Sequence, residues 1–182
     1  RTISSAASDV YKRQYLLSIL VVVVALITSS FDAPAAETQN GLRERISQAL
    51  GMNGEAALSQ GEALQAMQHF ESALVSNPKN ASAYVGLGRA HAAVDRRKTA
   101  MSYFAVALEI DPNNQHALEH QSLGFLDQGK ISAAERNLNR LKRLCASGCA
   151  SLETVEDALD AYLQKTQDAI LSGSEQQASA TP

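Results

Sequence analysis

Residues 66–78 read Ala-Met-Gln-His-Phe-Glu-Ser-Ala-Leu-Val-Ser-Asn-Pro, and residues 100–112 read Ala-Met-Ser-Tyr-Phe-Ala-Val-Ala-Leu-Glu-Ile-Asp-Pro. The second stretch repeats the first 34 positions later, since 112 − 78 = 34. Ala66, Phe70, Ala73, Leu74 and Pro78 return as Ala100, Phe104, Ala107, Leu108 and Pro112. A phenylalanine and a leucine four residues apart share one helical face and supply a stripe for burial. The alanines are small enough to let a neighbouring helix come close, as are Gly54 and Gly88, which keep the same interval upstream. Asn77-Pro78-Lys79-Asn80 and Asp111-Pro112-Asn113-Asn114 are stop signals. Proline cannot continue a helix, and an asparagine oxygen caps the next one. The phrase predicts antiparallel helix pairs, repeated in register.

Around it the pattern widens. Tyr84-x-x-Leu87-Gly88-x-x-His91, then Ala100-x-x-x-Phe104, then Pro112 resembles the tetratricopeptide repeat, W-x₂-L-G-x₂-Y, A-x₃-F, P. The resemblance implies an all-α, right-handed superhelical solenoid of three helix pairs over 47–80, 81–114 and 115–148. The second repeat is complete, with Tyr84 and His91 in two aromatic places. In the first, Leu50 and Asn53 stand where an aromatic and a leucine are expected. The third keeps Leu118, Phe125, Gly129, Ala134 and Leu138 but has Ser122 for the glycine and Ala146 for the proline. Residues 37–46 are expected to be a linker or leading helix. An amphipathic helix over 149–171 is expected to cap the last core surface, and 172–182, small and polar, to be disordered.

The N-terminal region is of another kind. Tyr15 to Ile27 is almost wholly apolar and precedes Ala33-Pro34-Ala35, a small-x-small cleavage pattern. Residues 15–36 therefore read as a secretory signal peptide, or as a signal anchor if the segment is retained. Cleavage is the favoured alternative, and the expected location is the periplasm or cell envelope of a bacterium. Residues 1–14, with Asp9-Val10-Tyr11-Lys12-Arg13-Gln14, resemble the translation of a sequencing-library adapter, so Lys12 and Arg13 carry no weight for orientation.

A net charge of −3, 5% aromatic residues and no tryptophan leave neither a basic stripe nor a stacking platform for nucleic acid. Gly-rich phosphate loops and a nucleophile elbow are absent from the sequence. Cys145 and Cys149 are the two cysteines, and in an exported chain such a close pair reads as a disulfide. It would close the turn that lost its proline. His116-Ala-Leu-Glu119-His120 has the letters of the H-x-x-E-H metalloprotease motif, with both imidazoles on one helical face. No domain supplies the third ligand, and the motif reads as coincidence. No metal, cofactor or enzymatic activity is expected.

In the family, the opening helices of each pair line a concave groove. The resemblance carries that role to Glu55, Leu58, Ser82, Val85, Arg89, Ala92, His116, Glu119 and Leu123. Relatives that grip a terminal carboxylate use lysines, asparagines and an arginine. Gly51, Glu55, Gly86, His116 and His120 fill those places here, which argues against a carboxylate-tail receptor. The function expected is a scaffold or adaptor that binds a peptide or helix of an envelope partner, with Arg89 as the best single anchor. The alternative is a self-associating module whose worn first repeat stacks on another copy.

Overall fold

The computed structural model describes residues 35–179. The adapter-like residues 1–14 and nearly all of the signal segment lie outside them. The chain divides into two compact units, 1–41 and 42–182, and the second holds the repeats. Seven helices and no strand occur among the described residues: α1 (Ala35–Ser59), α2 (Ala63–Ser76), α3 (Ala81–Ala93), α4 (Arg97–Ile110), α5 (Gln115–Asp127), α6 (Ile131–Leu144) and α7 (Ala150–Ser179). They form an all-α solenoid of three helix pairs followed by a single long helix. Among the described residues no helix is long and apolar enough to cross a membrane.

Two kinds of turn alternate, and each repeats its chemistry every 34 residues. Inside each pair the chain reverses through a left-handed residue: Gly61 (φ 78°), Asp95 (φ 56°) and Gly129 (φ 68°). The next amide reaches back over the helix end in all three cases: Glu62 N to Ala57 O at 2.9 Å, Arg96 N to His91 O at 2.9 Å, and Lys130 N to Phe125 O at 2.8 Å. These bonds satisfy carbonyls that a helix terminus leaves without partners. Between pairs the chain turns through the proline motifs. Asn80 Oδ1 accepts from Ala83 N at 3.1 Å, and Asn114 Oδ1 from Ala117 N at 3.0 Å, so α3 and α5 begin on asparagine caps.

The core is a series of three clusters. Phe70 lies with Ala66, Ala73, Ala83, Leu87 and Ala90. Phe104 lies with Val85, Ala100, Ala107 and Ala117, and Leu138 with Leu118, Leu141 and Val155. Burying each phenylalanine contributes about 1.5–3 kcal/mol. Both rings require the glycines beside them. A Cβ on Gly54 would stand 2.7 Å from the Phe70 ring, and one on Gly88 would overlap the Phe104 ring. Leu74 and Leu108 are half-buried partners of the same stripe.

The two ends of the solenoid are finished by substitution. Ala83, Leu87 and Ala90 of α3 are buried against α2; Ala49, Asn53 and Ala56 hold those positions on α1 and are exposed. Asn53 puts an amide where stacking would need a leucine. At the far end, Glu156 follows Gly54, Gly88 and Ser122 in the small-residue place, and pairs with Lys142 at 3.0 Å. A carboxylate there leaves no seat for a ring such as Phe70 or Phe104 against this position of α7. The expectation of disorder from Ser172 is corrected, because α7 continues to Ser179. No proline falls between Ala150 and Pro182, and extending a formed helix costs little. The expected linker at 37–46 is the leading part of α1.

Candidate functional site

The opening helices α1, α3 and α5 present equivalent positions side by side. Glu55, Arg89 and Leu123 are successive members of one such row, 34 residues apart. Arg89 Nη1 donates to Glu55 Oε2 at 2.6 Å, joining α3 to α1, and both side chains are near half exposed. An ion pair so hydrated contributes about 0–1 kcal/mol, so it orients the guanidinium more than it stabilises the fold.

Glu55, Ser82, Val85, Arg89, His116 and Glu119 line one open depression of about 510 Å³, to which α7 adds Ala150 and Thr154. Arg89 and His120 also border a neighbouring depression of about 440 Å³. Ala92 and Leu123 stand there, over a floor that includes Met101 and Phe104. Eight of the nine residues expected in the groove therefore line two adjoining hollows, with Arg89 on the ridge between them. One expectation needs correction. Leu58 lines neither hollow and packs against the first core cluster. Val85, only 5% exposed, belongs to the Phe104 cluster and forms part of the floor of its hollow.

Glu119 is held from two sides. Its Oε2 accepts from Ser151 Oγ at 2.7 Å and lies 3.5 Å from His116 Nδ1, leaving the side chain 14% exposed. Ser151 is buried, and its part in the groove went unrecognised in the sequence, where it reads only as the opening of the last helix. The two histidines of the H-x-x-E-H letters have different surroundings. His116 is 75% exposed beside Glu119, whereas His120 stacks on Phe104 at 5.6 Å between centroids. Among the described residues no three His, Cys, Asp or Glu side chains converge as a metal site. Burial lowers the His120 pKa first; Arg89 and His116 lower it further, while Glu119 and Glu55 oppose them.

His91, in the place of the repeat's usual tyrosine, was also missed as a titrating group. It is buried and stacks on Tyr103 at 5.2 Å. Its Nδ1 has no hydrogen-bond partner among the described residues. Burial lowers its pKa, with Arg96 adding and Glu71 opposing. Cys145 and Cys149 are joined as a disulfide, with Cα atoms 5.6 Å apart.

Residues 57–121 match the tetratricopeptide repeat family. Those residues carry tetratricopeptide repeats, and the fold around them is that of a tetratricopeptide-repeat domain. Solved structures agree on the fold of this repeat protein. The TPR domain of Sgt2 from Aspergillus fumigatus is 20% identical, with a TM-score of 0.59 over 68% of this chain and 80% of that one. The TPR2B domain of yeast Sti1, solved as a pHsp70 complex, is 15% identical, with a TM-score of 0.60 over 66% and 98%. The Yersinia enterocolitica type III secretion translocator chaperone SycD, in an alternative dimer, is 19% identical, with a TM-score of 0.59 over 67% and 95%. No curated protein sequence matches the chain.

Proposed function

We propose that this repeat protein is a binding adaptor of the bacterial cell envelope, holding a peptide or helix of another protein in the groove of α1, α3 and α5. The observation that carries the reading is the position of Arg89. It stands on the central opening helix, borders both hollows and is aimed by Glu55. A guanidinium with five donors can grip a carboxylate or main-chain carbonyls, and interface hot spots favour arginine near the centre of a patch. The Sti1 domain of the same fold was solved with pHsp70 bound, which supports peptide binding as the use of this surface. A terminal carboxylate is the wrong ligand here. Glu55 and Glu119 repel it, and Gly86 lies buried against Phe70 where a gripping side chain would be needed. An internal segment of the partner fits better. The apolar stretch from Tyr15 and the small-residue site Ala33-Pro34-Ala35 support export to the envelope, with cleavage favoured over a retained anchor. The exposed Asn53 tells against the alternative, in which the first repeat stacks on another copy.

A photo-crosslinking residue at Ser82 or Ala92 tests this in envelope fractions of a producing bacterium. Discrete partner adducts are expected there, absent from the same probe at Ser72 on α2 and lost on Arg89→Ala. Equal yields from both faces would end the proposal.

A further inference from the structure

Three turns lead from one pair to the next helix, and two are built alike. Asn77 Oδ1 accepts from Lys79 N at 3.0 Å, and Asp111 Oδ1 from Asn113 N at 3.0 Å. Each of these turns also holds a proline and ends on a capping asparagine. The third, Cys145 to Cys149, has none of this: Ala146 replaces the proline, and Gly148, at φ 90°, replaces the cap. The backbone bond from Gly148 N to Cys145 O, at 2.9 Å, matches those from Asn80 N and Asn114 N in the other turns, and beyond it the disulfide is the tie between the ends. One residue past it α7 begins, and the second residue of that helix is Ser151, whose hydroxyl holds Glu119 at 2.7 Å. Ala150 and Thr154, from the same turn, wall the hollow that Glu119 lines.

We propose that Cys145–Cys149 is a redox latch on the groove. Oxidised, the bridge pins the first turn of α7 and with it the Glu119 carboxylate. Reduced, that turn has no capping side chain, no proline and no Asx bond to hold it, and the α7 wall loosens. The effect is local, because Val155 and Leu159 keep the following turns of α7 packed on Leu138 and Leu141, while Leu152 is the one apolar anchor of the first turn.

The chemistry balances with a dithiol reductant. Its thiolate attacks the Sγ of Cys149, the less buried of the two residues. The S–S bond breaks, and Cys145 leaves as a thiolate that takes a proton. The second thiol of the reductant then displaces Cys149, which also leaves as a thiol, and the reductant departs as its own disulfide. Two electrons and two protons have entered the chain.

Hydrogen exchange read by mass spectrometry, with and without dithiothreitol, tests the latch without needing any partner. Amides of the first turn of α7 should exchange about tenfold faster or more on reduction, with α3 and α4 unchanged. Cys145→Ser/Cys149→Ser should match the reduced protein. Replacing residues 145–149 by the Asp-Pro-Asn-Asn-Gln of 111–115 should restore slow exchange and remove its dependence on dithiothreitol. The His116 imidazole signal in NMR should shift on reduction of the native chain and stay fixed in the grafted one. Unchanged exchange in the first turn of α7 would overturn the latch. So would an equal rise throughout α3 and α4, since the bridge would then stabilise the whole fold.

Discussion

Gly88→Ala and Gly51→Ala are the same chemical change inside two opening helices, and the structure gives them opposite signs. Each should gain about 0.5–1 kcal/mol from helix propensity, because glycine loses more backbone freedom on folding than alanine. At Gly51 nothing lies within 4 Å of the new Cβ, so that gain stands alone. At Gly88 the new methyl overlaps the Phe104 ring. The ring has little room to retreat, because it also stacks on His120 at 5.6 Å and Ala100 and Ala107 share its cluster. Overfilling a packed core costs about 1–3 kcal/mol. The propensity term is common to both, so the Gly88 variant should lie about 1–3 kcal/mol below the Gly51 variant. For a chain of this size each 1 kcal/mol is worth roughly 2–4 °C in Tm. Urea unfolding followed by far-ultraviolet circular dichroism reads both. A Gly88→Ala protein as stable as Gly51→Ala would mean that Phe104 does not rest on α3, and the register of the second repeat would fall with it.

Phe104→Ala should cost about 3–5 kcal/mol in the same assay, and a wild-type urea midpoint would contradict its place in the second cluster. Asp95→Gly should raise the midpoint, since Asp95 alone of the three reversal residues holds a left-handed backbone with a side chain, a conformation costing roughly 1–2 kcal/mol; a lower midpoint would refute the turn. His91 and His120 both have depressed folded pKa values, so the unfolded chain binds more protons in mildly acid solution. Stability should be complete above the ordinary histidine value near 6.5 and fall as the pH drops below it, with His91→Tyr flattening the profile; an unchanged slope in that variant would exclude His91 as a source. Arg89→Ala should leave melting within about 1 kcal/mol of wild type while abolishing partner adducts at Ser82.

The repeat was legible because its signals are local. Phe70 and Phe104, the prolines and the asparagine caps act over a few residues, so spacing in the chain is spacing in the fold. A further local signal was present and unused: Gly61, Asp95 and Gly129 mark the three reversals, but the aspartate in the middle hides the series. The groove was legible to the level of a helix and not always to the level of a side chain. Val85 sits one turn from both Ser82 and Arg89, yet it is buried and they are not. A helix packed between neighbours on both sides buries more than half its circumference, and periodicity along one chain does not say where that arc ends. Asn53, Ser151 and Glu156 show the same limit at longer range. As letters they are a worn consensus, a helix start and a solvated acid. Only the stacked helices reveal Asn53 exposed where α3 buries a leucine, Ser151 holding Glu119 from across the groove, and Glu156 occupying the seat of a missing ring. The sequence by itself determined the repeat, its turns and its buried rings, because backbone propensity and capping are short-range forces. The tertiary structure decided which polar groups meet, Arg89 with Glu55 and Ser151 with Glu119, because those contacts join residues 34 and 32 positions apart through helix packing alone.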